Sequence, residues 1–173
     1  MTEGFSIGWL NRTRLSAERF GVKASLLSAA AALDLPVPPG FAFPAHLATR
    51  PGFDAVLAEA LESLAQDAKT YFGDDLPLLV ALRTSAPGAA GGSAPAILNI
   101  GASEAALPAF AAAHGPRVAA DLRRRLIQSF GTGALGLEGE EFEYALYDAM
   151  KEVGAQDETE LSAADLERLS ASC

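Results

Sequence analysis

The feature that most constrains the fold is the stretch at residues 80–101, VALRTSAPGAAGGSAPAILNIG, where two apolar runs flank a segment made almost only of Ala, Gly, Pro and Ser. The first run, residues 78–82, follows Pro77 and is continuously apolar, which is typical of a buried central strand. The second run, residues 96–100, has the length of another strand. We therefore predict two strands joined by a loop, with Arg83 as the single charge at its mouth.

The rest of the chain divides into a first half with strands and helices and a second half of helices alone. Short strands are predicted at residues 4–10 and 41–43. Apolar periodicity, interrupted by Gly and Pro, predicts helices at residues 23–33, 45–48, 54–71, 103–113, 117–130, 142–152 and 162–169. This order of elements predicts an α+β fold. We expect residues 1–101 to form an α+β region and residues 102–173 a helical extension packed with it as one unit.

Local signals predict how several of these helices begin and end. Gly73 lies just past the amphipathic third helix, as a C-cap residue does. Ser103 is predicted to cap the first helix of the second half. Ser162 with Asp165 resembles a capping box, although Glu or Gln is the usual partner.

Composition excludes several classes of function. The formal net charge of -9 argues against binding to nucleic acid, whose phosphates require a basic surface. No apolar stretch is long enough to span a bilayer, and the N-terminal MTEGFSIGW has no basic residue before its apolar part, unlike a secretory signal. One cysteine, Cys173, excludes an internal disulfide and a cysteine-rich metal site. We expect a cytoplasmic protein that binds neither membranes nor nucleic acid.

Three motifs that could carry chemistry have a simpler structural interpretation. GTGALG at residues 131–136 matches the dinucleotide-binding pattern, but a helical sequence precedes it where that pattern needs a strand, so we interpret it as a helix end and turn. The arginines at 123–125 fan out around a helix and cannot all serve one ligand, so we expect one of them to turn inward. His46 and His114 have no carboxylate or cysteine at ligand spacing, which favours surface or helix-end positions.

Lys23 and Arg83 remain as candidate binding residues. Lys23 is predicted at the start of a helix, after Gly21. A cation at this end interacts unfavourably with the helix dipole. The position is favourable if an anion is bound between the lysine and the N-terminal N–H groups. Arg83 faces a loop small enough to let a ligand approach. Each residue also has an ordinary surface explanation, but together they form a candidate phosphate clamp. The loop beside Arg83 either holds a phosphate or has lost an earlier chemical function.

Three stretches resemble the N-terminal nucleotide-binding region of pyruvate phosphate dikinase and phosphoenolpyruvate synthase, which is part of an ATP-grasp fold. They are FGVKASLLSAAAALDLPVPPGF, PLLVALRTSAPGAAGGSAPAILNIG and LRRRLIQSFG. The similarity extends from about Gly21 to Leu169. It places Lys23 on the family's ATP-contacting lysine and Arg83 on an arginine that meets ATP phosphates. The resemblance thus implies an ATP-grasp N-terminal lobe followed by a helical extension.

The chain departs from the family pattern at the residues that hold the phosphates. Val22 and Ala24 stand where the family has glycines, and we expect the β-branched Val22 to resist a positive φ and to keep a phosphate from the backbone amides. Pro87 replaces the family's second loop arginine. Residues 90–96 lack the acidic residue and threonine of the family motif. We also expect the opposing lobe, which supplies the Mg²⁺ ligands in such enzymes, to be missing from this sequence.

These departures predict a stand-alone, non-catalytic relative, a pseudoenzyme that binds a partner protein or a small ligand. The alternative is the ATP-binding component of a split phosphotransferase (a kinase) completed by other chains, and a third possibility is a nucleotide sensor. ATP is a possible ligand in each case, with Mg²⁺ only where a partner supplies its ligands. We expect an exposed apolar face, where the missing lobe would pack, to bind a partner or a second copy of the chain.

Overall fold

A computed structural model of the chain describes residues 5–72, 74, 76–84 and 96–172. The described part is rich in helices and contains two small antiparallel sheets of two strands each, in agreement with an α+β fold. It forms two compact units. The first contains the residues up to Tyr71, and the second contains residues 72–83 and those from Ala96 onward. The predicted division at residue 101 stays a prediction.

The first unit combines one small sheet with helices. Strand β1 (Gly8–Trp9) pairs antiparallel with β2 (Phe41–Ala42), with Gly8 opposite Ala42 and Trp9 opposite Phe41. In chain order the elements are β1 (Gly8–Trp9), α1 (Ala17–Phe20), α2 (Val22–Ala31), β2 (Phe41–Ala42), a 3₁₀ turn (Ala45–Leu47) and α3 (Phe53–Ala68). The strand predicted at residues 4–10 is therefore reduced to two residues, and the single turn α1 was not predicted at all.

Helix α3 follows the predicted periodicity. Phe53, Ala60, Leu64 and Ala65 are buried along one side, as the recurrence of apolar residues indicates. The helix ends at Ala68 because Lys69 adopts a left-handed conformation with φ of 55°. It therefore ends three residues before the predicted position, and the proposed C-cap Gly73 lies outside the described residues.

The second unit packs four helices and one sheet around two apolar clusters. Its elements are β3 (Val80–Arg83), β4 (Ala96–Ile100), α4 (Leu107–His114), α5 (Pro116–Ala134), α6 (Gly139–Val153), a 3₁₀ turn (Glu158–Glu160) and α7 (Ala163–Ser172). Helix α5 is central, since it contacts β4, α4, α6 and α7. One cluster contains Phe110 with Ala106 and Ala119, and the other contains Leu161 and Leu166 with Ala120.

Two predictions about this unit are wrong. The apolar run at residues 78–82 is not a buried central strand, because β3 pairs with β4 alone among the described strands and its residues from Ala81 to Arg83 are exposed. Ser103 does not cap a helix, because it lies in a turn in which its carbonyl accepts the N–H groups of Ala106 and Leu107 before α4 begins.

Other predictions for this unit are confirmed. Ser162 and Asp165 form a reciprocal capping box: the Asp165 N–H donates to Ser162 Oγ, and the Ser162 N–H donates to the Asp165 carboxylate. Residues 131–134 of GTGALG continue helix α5, and Gly136 makes the turn that follows with φ of 70°.

None of the described helices is long and apolar enough to cross a bilayer.

Candidate functional site

Lys23 lies in the first turn of α2, as predicted. Gly21 precedes the helix with φ of 82°, and no side chain caps this end among the described contacts. The conformation of Gly21 is one that glycine adopts at little cost. Ala24 and Ser28 face the interior, where Ser28 Oγ accepts the Leu15 N–H at 3.0 Å. Helix α2 is thereby fixed to the segment before α1, with Lys23 half-buried at its start.

Val22 does not occupy the position that requires a positive φ. It is the first helical residue of α2, while Gly21 takes the positive φ. The prediction that Val22 occupies a position that requires a positive φ is therefore wrong. Its side chain is 39% exposed next to Lys23 in the sequence, and Leu26, one turn further along α2, is 65% exposed. This end of α2 presents apolar side chains to solvent.

Arg83 is the last residue of β3, opposite Ala96 in β4. The strand position agrees with the sequence analysis, but the arginine and the preceding Leu82 are exposed. Pro87 and most of the predicted loop lie outside the described residues. Lys23 belongs to the first unit and Arg83 to the second, and their joint role in binding phosphate stays a prediction.

One of the three arginines at 123–125 turns inward, as predicted, but the other two do not both point away from it, because Arg124 and Arg125 share two carboxylates. Arg123 pairs with Glu104 at 2.6 Å. Arg124 turns inward and is 6% exposed. Its guanidinium donates to Asp121 at 2.7 and 2.9 Å, to Glu158 at 3.1 Å and to Gln128 at 3.3 Å.

The same two carboxylates also bind Arg125. Its Nε donates to Asp121 at 2.8 Å and its Nη2 donates to Glu158 at 2.9 Å. Burial raises the pKa of Asp121, but the hydrogen bonds from Arg125 and Arg124 outweigh it, so the net pKa is lowered. We call Asp121, Arg124, Arg125 and Glu158 the α5 ion cluster. The contribution of Glu158 could not be predicted from a local pattern, because this residue lies more than thirty positions away along the chain.

The side chain of a further arginine binds backbone carbonyls of the turn that contains Glu158. Arg117 donates from Nε to the Leu161 carbonyl at 2.9 Å and from Nη2 to the Glu158 carbonyl at 2.8 Å. Together with the α5 ion cluster, these bonds attach the turn before α7 to α5. The basic residues of α5 are thus engaged by protein groups, and their main role is to hold the helices together.

The histidines occupy the positions that the sequence indicates. His46 is exposed in the 3₁₀ turn of the first unit, and His114 is exposed in the last turn of α4. Within the described ranges, no three His, Cys, Asp or Glu residues are grouped in a way that could hold a metal ion.

Comparison with known proteins gives consistent matches to one family. The chain is 31% identical over 167 residues, 91% of its length, to pyruvate, phosphate dikinase of Giardia intestinalis. It is 30% identical over 88% of its length to pyruvate, phosphate dikinase 2 of Zea mays, and 29% identical over 86% to the chloroplastic protein of Mesembryanthemum crystallinum. No protein-family model matches.

These matches confirm the resemblance in the sequence. Over most of its own length the chain is similar to one region of the pyruvate, phosphate dikinases. It spans only 17–19% of the length of these relatives, so the similarity concerns one region of a much longer protein.

Proposed function

We propose that this chain is a non-catalytic, cytoplasmic relative of the nucleotide-binding region of pyruvate, phosphate dikinase, with an ATP-grasp N-terminal lobe. Its function is to bind a partner protein, a second copy of itself or a small ligand. The similarity to pyruvate, phosphate dikinase over most of the chain supports the relationship to that region. The replacement of the phosphate-binding loop residues in the sequence supports the loss of catalysis, because phosphoryl transfer depends on positioned cations and metal ions.

The observation that carries the binding function is the exposure of β3. Its sequence is that of a buried strand, yet Leu82 is 46% exposed and Ala81 and Arg83 are also exposed. An apolar strand that is exposed and has an open edge among the described strands favours association with another chain, through its backbone groups or its side chains. In the first unit, Leu26 of α2 gives a second exposed apolar position.

Light scattering over a range of concentrations tests this binding function. Self-association that rises with concentration, and that Leu82→Gln or Leu26→Gln weakens, would identify the surface used. An exposed leucine elsewhere, Leu135, provides the matched control in Leu135→Gln, which should leave association unchanged. A strictly monomeric protein at high concentration would count against the second copy as partner.

The second candidate function is the ATP-binding component of a split phosphotransferase. The start of α2 favours it, because Lys23 lies in the first turn, where N–H groups and the helix dipole attract an anion. In that function, Lys23 and Arg83 contact the phosphates of ATP and a partner chain supplies the Mg²⁺ ligands. A sensor that binds ATP without transferring phosphate uses the same two residues.

Calorimetric titration distinguishes these functions. ATP with and without Mg²⁺ is titrated into the wild-type chain and into Lys23→Ala and Arg83→Ala. Arg14→Ala, which removes a different cation of the first unit, one that is exposed, is the control. Saturable binding lost in both test variants and kept in the control supports a nucleotide component or sensor. If neither variant changes binding or the melting temperature in the presence of nucleotide, the phosphate clamp is excluded.

A further inference from the structure

Helix α6 has one face that packs against the core and an opposite face that is exposed to solvent. Phe142 is buried, and Leu146 and Met150 pack against the cluster formed by α5 and α7. On the other side, Tyr144 is 67% exposed and Tyr147 is 62% exposed. Because they are three positions apart, the two rings lie next to each other on one face of the helix.

This tyrosine pair lies within a strongly acidic surface. The exposed acidic residues of α6 are Glu140, Glu141, Glu143, Asp148 and Glu152, against one exposed lysine, Lys151. The helix dipole accounts for acidic residues in the first turn, at Glu140 and Glu141. The dipole does not account for Glu143 and Asp148, which lie outside the first and last turns. Both are one turn from a ring, because Glu143 lies four positions before Tyr147 and Asp148 four positions after Tyr144.

Exposed aromatic rings and carboxylates on one face fit one type of side chain especially well. A guanidinium group stacks on the face of a tyrosine ring and at the same time donates paired hydrogen bonds to a carboxylate. Tyrosines are also enriched where proteins bind one another. The chemistry of this face is therefore complementary to arginine.

We propose that the outward face of α6, centred on Tyr144 and Tyr147, binds an arginine-rich segment of a partner protein. The surface differs from β3 and α2, so this inference does not depend on the proposed function. The partner's arginines stack on the two rings, and the surrounding carboxylates neutralise their charge. Binding also relieves the repulsion among the carboxylates of α6.

A peptide of nine arginines is a suitable probe, titrated by calorimetry at low ionic strength. The double variant Tyr144→Ala/Tyr147→Ala should bind about tenfold more weakly than the wild type, because two ring contacts are lost. The double variant Tyr144→Phe/Tyr147→Phe keeps both rings and should bind within about twofold of the wild type. Equal affinity for the alanine variant and the wild type would overturn the proposal.

A charge-matched pair of variants separates this face from the overall negative charge of the chain. Glu143→Gln/Asp148→Asn removes two charges of α6 that lie one turn from the rings, and Glu59→Gln/Glu62→Gln removes two exposed charges from α3. The proposal predicts that the α6 variant binds the peptide several-fold more weakly and that the α3 variant binds like the wild type. An equal loss in both variants would show that the peptide responds to net charge alone and would contradict the proposal.

Discussion

The α5 ion cluster allows a comparison of two arginines that share the same carboxylates but differ in burial. Arg124 and Arg125 both bind Asp121 and Glu158, but their side chains are 7% and 45% exposed. Methionine is the substitution of choice for both, because it keeps the apolar length of the side chain and removes the charge. Differences between the two variants therefore report the effect of burial on the same set of contacts.

Arg124→Met should lower the free energy of unfolding by about 2–3 kcal/mol. Removing one partner of a fully buried ion pair costs about 3–5 kcal/mol. The cost is smaller here because Asp121 and Glu158 are 22% and 37% exposed and both keep their bond to Arg125. Arg125→Met should cost less than about 1 kcal/mol, as for exposed ion pairs. Urea unfolding followed by far-UV circular dichroism measures both free energies. Equal costs, or a neutral Arg124→Met, would refute the argument from burial.

The same cluster predicts how stability depends on pH. The pKa of Asp121 in the folded chain is lowered from its ordinary value of 3.8. A carboxyl with a lowered pKa contributes stability that is fully present above its unfolded pKa and is lost as the pH falls through the folded pKa. The wild type should therefore lose this contribution below about pH 4. Asp121→Asn should lack it at neutral pH, so the difference between the two unfolding free energies should shrink with acid. Parallel profiles from pH 7 to pH 3 would contradict this.

Two further predictions concern packing and capping in the second unit. A Cβ on Gly131 would lie 2.6 Å from Phe142 Cζ, so Gly131→Ala should destabilise the chain by about 1 kcal/mol in urea unfolding. Gly139→Ala meets its nearest atom only at 3.8 Å and should be neutral or slightly stabilising; the same sign for both would contradict the packing argument. Ser162→Ala removes the acceptor of the Asp165 N–H and should cost about 1 kcal/mol, with faster amide hydrogen exchange in the first turn of α7. Unchanged exchange there would show that the cap is not needed.

Helices could be predicted from the sequence where the apolar periodicity and the turn residues agree. The regular apolar positions of α3 and the Gly115–Pro116 boundary before α5 gave the right elements, because both signals are local. The capping box at Ser162 could be predicted for the same reason.

Burial could not be predicted in the same way. The apolar run at β3 has the composition of a buried strand, but the extent of its exposure depends on what packs against it, which a short apolar run does not encode. The α5 ion cluster depends on Glu158, which reaches Arg124 only because a turn far along the chain folds back on α5. The positions of Lys23 in α2 and of Arg83 at the end of β3 followed from local patterns, while their role with phosphate stays a prediction.

We propose that this chain alone does not transfer a phosphoryl group. The direct test is to incubate the purified chain with ATP and Mg²⁺ and to follow the phosphates by ³¹P NMR over hours. The ATP signals should decline no faster than in a sample without protein. Turnover at about 1 s⁻¹ or more, within the ordinary range of enzymes, would contradict it.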